Sequence, residues 1–359
     1  MGKPASRIGN SARLYPETML SAQLLARGKM GVISCPVPRP GAGEVLVRVR
    51  AVGICRSDVH YFRQGKIGNQ VIRKFPQLLG HEPAGEIVEL GRGVRGMRPG
   101  DRVAIEPAMP CGKCAECRRG AGNTCPAVKF LGMPGQNGAF AQYMAVPAEN
   151  VAKIPRAISF EIGAALEPLA VGMHAVKLAG KRMKRALVIG VGPIGLCITA
   201  VLKARGVWVE ACDFLPARLS AARKMGAKST VLFTRKASLK GMLRALSPRP
   251  DVVFEAGGTA SAVSLALNAA GPGGKVMLVG ITEEDAIPVN LHTARRKELT
   301  IINVRRSNGE LEECINMVAS GKIDLRPMIT HRGKLARAHE LFLLAEGYRN
   351  GVIKPVVIP

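Results

Sequence analysis

The stretch ALVIGVGPIGL (residues 186–196) decides the fold of this chain. It contains three glycines with the spacing G-x-G-x-x-G: Gly190, Gly192 and Gly195. They follow an apolar strand and open a predicted helix, which is the context in which this spacing becomes informative. There the first glycine permits a tight turn, the second lets backbone approach a pyrophosphate, and the third lets helix and strand pack closely. Because the N-terminus of a helix also attracts phosphate, the stretch predicts a dinucleotide site.

The choice of dinucleotide depends on the next apolar strand, which ends at EACDF. Asp213 in this segment is expected to accept hydrogen bonds from the adenosine ribose and to repel a 2′-phosphate, which favours NAD over NADP. Arg218, in a basic stretch, is a competing feature because it could accept that phosphate. We expect further cofactor contacts from residues beside the glycines and at the end of a later strand: Pro193, Ile194, Val279 and Gly280.

Apolar runs alternate with helical stretches from residue 186 onward, which predicts βαβ units and a parallel sheet.

Residues 40–150 instead read as short strands and turns. In EVLVRVRAVG (44–53), alternation predicts a half-buried strand, with one face formed by Val45, Val47, Val49 and Ala51. EIGAALEPLAVGMHAV (161–176) reads as a helix. The predicted organisation is a β-rich domain over 1–168, an inserted α/β domain over 169–304, and a return to the first domain over 305–359.

The charge of the chain is unusual, since 52 Lys and Arg face 26 Asp and Glu and give +26. Residues 181–250 contain 15 basic and 2 acidic residues. Such a field favours anionic cofactors, nucleic acid or acidic surfaces, although a solvated basic face is the simpler interpretation. Aromatic residues make up only 4% and are not interleaved with the basic ones, so we do not expect a nucleic-acid partner.

Other features of the composition predict a cytoplasmic protein. We see no apolar run of transmembrane length and no secretory signal, so we expect no membrane association. The nine cysteines are an odd number, which favours reduced thiols over a disulfide framework. Residues 1–18 are polar and basic and read as a flexible lead-in.

Four of the cysteines lie close together in CGKCAECRRGAGNTC (111–125), with the spacing C-x2-C-x2-C-x7-C. Taken alone, this cluster fits a metal site, a redox pair, a zinc ribbon for nucleic acid or a disulfide staple. Cys55 and His81 are potential metal ligands on two other segments, but alone they read better as core residues.

The segments AVGICRSDVHYF (51–62) and LLGHEPAGEIVELG (78–91) change that interpretation. With C-x-S-D-x-H at 55–60, G-H-E at 80–82, the cysteine cluster and the glycine motif, the chain resembles the zinc-dependent medium-chain dehydrogenase/reductase family over about residues 19–359. The segments EPL-VG-HA and GKIGN look most like its sorbitol (L-iditol)/xylitol dehydrogenase branch. The resemblance implies an α/β fold: a Rossmann doubly wound parallel sheet inserted into a β-rich GroES-like catalytic domain. Relatives are often homotetramers, so a homo-oligomer (tetramer or dimer) is expected.

The resemblance implies two zinc ions per chain. The structural zinc is expected at four cysteines, which close a tetrahedral shell: Cys111, Cys114, Cys117 and Cys125. The catalytic zinc is expected at Cys55, His81 and an acid. That acid is either Glu82 directly, with Glu167 reached through water, or the reverse.

The resemblance also implies a reaction and the residues that serve it. Zinc lowers the pKa of a substrate hydroxyl, hydride passes to NAD, and the proton leaves through Ser57 and the cofactor ribose to His60. Tyr61, Glu167 and Arg305 are expected to contact the substrate. Two positions depart from the related enzymes: Arg306 replaces an aromatic residue and Arg56 replaces a small one.

The expected function is therefore zinc- and NAD-dependent oxidation of a polyol to a ketose. Another secondary alcohol, a threonine-type substrate or a sugar acid is the alternative, and a zinc-ribbon nucleic-acid-binding protein is a distant one. Simpler structural roles exist for other residues: Ser57 and Asp58 could cap a helix, and His174 could be a packed helix residue. Four further cysteines read as buried small hydrophobes: Cys35, Cys197, Cys212 and Cys314.

Overall fold

The computed structural model describes residues 15–234, 236–247 and 249–359. Its strands are β1 (Thr18–Ala26), β2 (Lys29–Pro36), β3 (Glu44–Gly53), β4 (Lys66–Ile67), β5 (Gln70–Val71), β6 (Gln77–Leu78), β7 (Glu82–Leu90), β8 (Arg102–Ile105), β9 (Ala108–Met109), β10 (Lys129–Phe130), β11 (Tyr143–Pro147), β12 (Val151–Lys153), β13 (Arg185–Ile189), β14 (Trp208–Asp213), β15 (Ser229–Leu232), β16 (Val252–Glu255), β17 (Lys275–Leu278), β18 (Thr300–Asn303), β19 (Ile329–Lys334) and β20 (Lys354–Ile358).

The helices are α1 (Arg56–Gln64), α2 (Ala115–Arg118), α3 (Phe160–Ala164), α4 (Leu166–Ala179), α5 (Pro193–Ala204), α6 (Pro216–Lys224), α7 (Leu239–Ala245), α8 (Ala260–Ala269), α9 (Leu291–Arg296), α10 (Leu311–Ala319) and α11 (Ala338–Gly347). None of the helices in the described ranges has the length and apolar content that crossing a membrane requires.

The α/β domain is built on one six-stranded sheet in which every neighbouring pair is parallel. The strand order is β15-β14-β13-β16-β17-β18, so the order reverses on the two sides of β13. Helix α5 leaves the carboxyl end of β13 at this switch point, where open parallel sheets bind ligands. The Rossmann sheet predicted from the alternation of strands and helices is confirmed.

The β-rich domain is built on a seven-stranded sheet with the path β12-β8-β7-β3-β20-β19, and β11 also pairs with β3. Strand β20, at the end of the chain, pairs antiparallel with β3, near its beginning. The α/β domain is therefore inserted into the first domain, as predicted. Strand β3 shows the predicted burial of Val45, Val47 and Val49, but Leu46 is buried as well, so this end of the strand is covered on both faces.

The two domains are joined by α4, which is buried along most of its length. Its residues Leu169 and Met173 share one core with Leu196 of α5 and Leu311 of α10. The boundaries at residues 168 and 304 stay predictions, and the first of them falls within α4. The helix predicted over 161–176 is wrong in one respect, because Ala165 ends α3 and begins α4.

Two further predictions concern single residues or the chain start. Residues 1–14 of the predicted lead-in lie outside the described residues, whereas Tyr15 stacks on Tyr143 with ring centroids 5.9 Å apart. Cys197, Cys212 and Cys314 are buried as predicted, but Cys35 is only half-buried, so that prediction is wrong for Cys35. The reason is that β2 pairs with β1 alone among the described strands, and one of its faces is open.

Candidate active site

A cleft of about 870 Å³ runs between the two domains. Its walls carry Cys55, His81 and Glu167 from one side, and Gly192 and Gly280 from the other. Cys55 and His81, which lie more than a hundred residues before the glycine turn in the sequence, therefore meet it in one space.

Asp58 holds Cys55 and His81 in place. Cys55 is the N-cap of α1, and its backbone N–H donates to Asp58 Oδ2 at 3.0 Å. The other oxygen, Oδ1, accepts the Gly80 N–H at 3.1 Å and lies 3.4 Å from His81 Nδ1. A carboxylate behind a histidine fixes its ring orientation and leaves the opposite nitrogen free to bind a metal. Asp58 thus takes part in the helix cap, as predicted, but Cys55 rather than Ser57 is the N-cap residue, and the helix begins at Arg56 instead of near Val59. Asp58 also positions both potential ligands.

Glu82 is fully buried beside these two residues. Both of its oxygens accept from Lys354 Nζ, at 2.5 and 2.6 Å, and Lys354 also donates to the Ile54 carbonyl at 3.2 Å. Burial alone would lower the pKa of Lys354, but the negative charges of Glu82 and Cys55 raise it. A side chain at Gly53 would overlap Glu82 Oε2, so the carboxylate depends on this glycine for space.

The donor atoms of Cys55, His81 and Glu82 all lie within 4.8 Å of one another. Burial would lower the pKa of His81, but Asp58 and Cys55 raise it well above its usual range. A positive charge is therefore favoured at this point, which suits a divalent cation. Three protein donors beside a cleft match an open, catalytic type of zinc site.

Glu167 lies in the first turn of α4 and lines the same cleft, but its carboxylate is not among the three clustered donors. Burial and the neighbouring Glu82 raise the pKa of Glu167 to about 8, while the facing His81 opposes the shift.

The four clustered cysteines form a second donor set. Their sulfur atoms also lie within 4.8 Å of one another. Cys114 caps α2 and accepts the Cys117 N–H at 3.5 Å, and Cys111 N–H points to Cys125 Sγ at 3.4 Å. Backbone N–H groups of Lys113 and Cys114 lower the pKa of the Cys111 thiol to about 6. All nine cysteines, each within the described ranges, are free thiols, so this cluster is not a disulfide staple. Four sulfur donors suit a closed zinc site.

The residues predicted to carry the proton lie beside the open donor set. Ser57 Oγ is 3.4 Å from His81 Nε2, the nitrogen that faces away from Asp58. His60 lines the cleft, and its Nδ1 lies 3.9 Å from Glu283. Burial and the charge of Arg56 lower the pKa of His60, so its imidazole is neutral at neutral pH and can accept a proton. Tyr61 also lines the cleft and donates to Gln70 Oε1 at 3.2 Å.

On the cofactor side, Gly190 has φ +81°, and a side chain at Gly195 would overlap the Gly190 carbonyl oxygen. Both positions therefore have the conformational reasons for glycine that the motif predicted. Five of the predicted cofactor residues line the cleft: Gly192, Pro193, Ile194, Val279 and Gly280. Asp213 accepts the Val191 N–H and the Leu215 N–H, each at 2.9 Å.

Arg218 also lines the cleft and contacts Asp213, with 3.5 Å between Nη1 and Oδ2. The two residues that compete in the sequence are therefore a pair in the structure. Arg218 lies over the Tyr348 ring at 4.5 Å, and Arg56 lies over the same ring at 4.9 Å. Tyr348 thus packs against arginines of both domains at the cleft.

Arg305 and Arg306 both line the cleft, but they have different surroundings. Arg305 Nε donates to the Asn123 carbonyl at 3.1 Å, and Asn123 Nδ2 donates back to the Arg305 carbonyl at 2.8 Å. The Arg306 guanidinium stacks on the Phe130 ring, with Cζ 3.9 Å from its centroid. His174 is buried, as predicted, and connects Asn123 at 3.3 Å with Glu310 at 3.1 Å.

Sequence reasoning missed three residues of this site. Asp58 was visible in the motif C-x-S-D-x-H but was interpreted only as a helix cap. Lys354 has no local signal, because it reaches Glu82 from the other end of the chain. Phe130 follows the cysteine cluster and stacks on both Arg306 and His81.

Comparisons with known proteins agree with this geometry. The alcohol dehydrogenase GroES-like domain family matches residues 41–156, and the zinc-binding dehydrogenase family matches residues 193–320. Sorbitol dehydrogenase of Bacillus subtilis is 36% identical over 347 residues, which cover 96% of this chain and 98% of that protein. Human sorbitol dehydrogenase is 36% identical over 339 residues, 93% of each chain.

A solved structure extends this similarity to the fold. An alcohol dehydrogenase of Escherichia coli CFT073 in complex with NADH superposes with a TM-score of 0.86 at 29% identity, covering 96% of this chain and 100% of that one. The two matching family domains and these relatives show that the chain belongs to the zinc-dependent medium-chain dehydrogenase/reductase family, in its sorbitol dehydrogenase branch.

Proposed function

We propose that this enzyme oxidises a secondary hydroxyl of a polyol to a ketose, with NAD as the hydride acceptor and zinc at the active site. The observation that carries the proposal is the meeting of the open donor set and the glycine turn in one cleft. The sorbitol dehydrogenases to which the chain is similar support a polyol as substrate.

Cys55, His81 and Glu82 are the proposed ligands of the catalytic zinc, and Glu167 is the proposed partner reached through water. The clustering of the first three donors and the position of Glu167 on the cleft wall favour this order over the reverse. When bound, zinc lowers the pKa of the substrate hydroxyl. Cys111, Cys114, Cys117 and Cys125 are the proposed ligands of a structural zinc, because their closed set leaves no position for substrate.

The chain's own residues would then orient the substrate and remove the proton. Ser57 Oγ, next to His81 Nε2, would accept the hydroxyl proton as it releases its own, and the neutral imidazole of His60 would accept the relayed proton and pass it toward solvent. Tyr61 and Glu167 face the substrate from the cleft wall. Arg305 also lines the cleft, where Asn123 holds its guanidinium.

NAD is the proposed cofactor, and it supplies the acceptor for the hydride. The NADH bound to the Escherichia coli relative supports this choice. The turn at Gly190 and Gly192 would receive the pyrophosphate. Asp213 would accept from the adenosine ribose, and Arg218, which contacts Asp213, lines the cleft.

Two broader assignments belong to this proposal. We infer a cytoplasmic location. All nine cysteines are free thiols, and two groups of side chains are arranged as potential metal ligands, which supports this inference. We also infer a homo-oligomer, a tetramer or dimer, which rests on the resemblance to relatives that assemble in this way.

The test is NADH formation by zinc-loaded protein with NAD and a panel of polyols, measured by absorbance. We expect turnover of at least one polyol, loss of turnover after chelation, and recovery when zinc is restored. A zinc-loaded, folded protein that reduces no NAD with any secondary alcohol of the panel would contradict the proposal.

A further inference from the structure

Arg306 is held in an unusual backbone conformation at the cleft wall. Its φ is +57°, a region that residues other than glycine rarely adopt and that costs free energy. Both neighbours are anchored: Arg305 exchanges hydrogen bonds with Asn123, and the buried Ser307 donates to Glu106 Oε2 at 2.9 Å. These contacts maintain the strained backbone between them and fix the direction of the Arg306 side chain.

The Arg306 guanidinium has no anionic partner in contact, although Glu167 and Glu106 favour its charge from farther away. One face stacks on Phe130, and Nη2 contacts Met133 Sδ at 3.1 Å. Nη1 is buried without a hydrogen-bond partner, and among the residues that the structure describes no carboxylate oxygen lies within 4.0 Å of this side chain. Burial lowers the pKa of Arg306 to about 10, so the group is still a cation at neutral pH.

The other three arginines of the cleft wall each have a partner for their charge or for some of their hydrogen-bond donors, although Arg56 Nη1 and Arg218 Nε are also buried without a partner. Arg56 lies 3.4 Å from Glu283, and Arg218 lies 3.5 Å from Asp213. Arg305 donates to the backbone of Asn123. Arg306 is half-buried, and a cation partly removed from water without an ion pair is costly, so its retention at a ligand site indicates that a bound anion completes it.

Phe130 places this cation near the reacting end of the cleft. Its ring centroid is 3.9 Å from Arg306 Cζ and 5.2 Å from the centroid of the His81 ring. Arg306 and a proposed ligand of the catalytic zinc therefore both contact one aromatic ring. A short polyhydroxylated chain with one hydroxyl at the metal donors would bring its far end to Arg306.

We propose that the preferred substrate carries a carboxylate at the end opposite the reacting hydroxyl, and that Arg306 binds it. The proposal rests on the proposed function, since it identifies the substrate class within the same reaction. A planar guanidinium matches a carboxylate in shape and charge. A carboxylate suits this cleft better than a phosphate: Glu167, Glu283 and Glu284 also line it, and a phosphate carries about 1.5 to 2 negative charges.

The experiment compares matched substrates with zinc-loaded wild type and Arg306→Gln. Each hexitol is paired with the hexonate in which the far hydroxymethyl group is a carboxylate, and hexitol phosphates form a third arm. Because a hydrogen bond to a charged group is lost, the ratio of kcat/KM for hexonate over hexitol should fall on the order of ten- to a hundredfold in Arg306→Gln. Calorimetric binding of the hexonate to the zinc-loaded protein without NAD should weaken in parallel.

Arg185→Gln is the matched control, because Arg185 stacks on Trp208 at 4.3 Å away from the cleft wall. It should leave the substrate ratio unchanged. Should Arg306→Gln fold poorly, Arg306→Asn removes the charge with a residue that tolerates the left-handed backbone.

The outcomes separate this proposal from the function on which it rests. Oxidation of hexitols with no preference for hexonates, or a preference that survives Arg306→Gln, overturns the proposal and leaves the polyol dehydrogenase intact. A preference for hexitol phosphates that depends on Arg306 overturns the choice of carboxylate. If no NADH forms with hexitols, hexonates or hexitol phosphates, the proposed function itself is contradicted.

Discussion

The two donor sets of this protein are built in opposite ways. The four cysteines at 111–125 come from one short segment, and backbone N–H groups of that segment contact their sulfur atoms. Cys55 comes from one segment and the adjacent residues His81 and Glu82 come from another, and their positions depend on Asp58 and on Lys354, which lies 272 residues from Glu82. The first set is local and closed, whereas the second is assembled by the fold and faces a cleft.

The difference between a closed and an open donor set indicates which function each site can have. A closed set of four thiolates satisfies a zinc ion and braces the loop that carries it, so its loss should affect stability. An open set leaves a coordination position for substrate, and the surrounding hydrogen bonds keep it in place without a metal. Its loss should therefore affect activity more than folding.

Cys55→Ser should produce the largest effect. Polarisation of the substrate hydroxyl by zinc contributes several kcal/mol to catalysis, so kcat/KM should fall by more than about a thousandfold. Metal analysis should show one zinc per chain fewer, and the thermal unfolding midpoint should stay close to wild type. Cys35→Ser is the matched control, since Cys35 belongs to neither donor set. Activity near wild type in Cys55→Ser would contradict the assignment of this ligand.

Cys114→Ser should show the opposite pattern. Removal of one thiolate opens the closed shell, and the free energy of unfolding should fall by about 4–5 kcal/mol, a large loss of the kind that follows from loss of a metal. At temperatures where the variant is folded, kcat/KM should change much less than in Cys55→Ser. Unchanged zinc content together with unchanged thermal stability would rule out a structural zinc in this loop.

Asp58→Asn should sharpen the comparison within the open set. The variant keeps all three proposed ligands but weakens the contacts of residue 58 with the Cys55 N–H and with His81 Nδ1. Zinc affinity should therefore fall about 10–100-fold. Chelator competition on Asp58→Asn and wild type gives the affinities. The control Asp101→Asn alters a carboxylate that pairs with Lys153 and belongs to neither donor set, so it should leave zinc binding unchanged. Equal zinc affinity in Asp58→Asn and wild type would contradict a positioning role.

Arg63→Gln should produce the smallest effect, a shift in pH dependence. Burial and Arg56 lower the pKa of His60, Glu283 raises it, and Arg63 lowers it. The variant removes one positive charge and frees Glu283 from an ion pair of 3.6 Å, so both changes raise the pKa of His60. Because the neutral imidazole accepts the proton, the acidic limb of kcat/KM should move to higher pH. A limb that stays in place or moves to lower pH would show that it reports a group other than His60.

The sequence predicted the local part of this molecule well. The motif around Gly190 identified the strand, the turn and the helix α5, because each glycine has a conformational reason that depends only on its neighbours. The cysteine cluster was recognisable for the same reason, since its spacing brings the sulfur atoms together within one loop.

Features that depend on tertiary contacts could not be predicted in this way. Asp213 and Arg218 looked like competitors in the sequence, and only the turn between β14 and α6 makes them a pair. Lys354 was invisible because its partner Glu82 lies on a neighbouring part of the sheet but far away in the chain. Leu46 broke the alternation of β3 because a second layer covers this end of the strand.

Arg306 illustrates how an apparent exception can be informative. Its replacement of an aromatic residue was visible in the sequence, but its positive φ and its stacking on Phe130 were not. The left-handed backbone is set by the anchored residues on either side, so no local pattern could have indicated it.

Stepwise removal of zinc from the wild-type protein tests most directly whether the open donor set serves activity and the cysteine set serves stability. A chelator is added while metal content, NADH formation and thermal unfolding are followed together. The open set faces the cleft and the cysteine shell has no free coordination position, so the first zinc equivalent should leave with all activity and with little change in the unfolding midpoint. The second should leave later and lower the midpoint. Loss of stability together with the first equivalent, or activity that persists until the second is removed, would contradict the account.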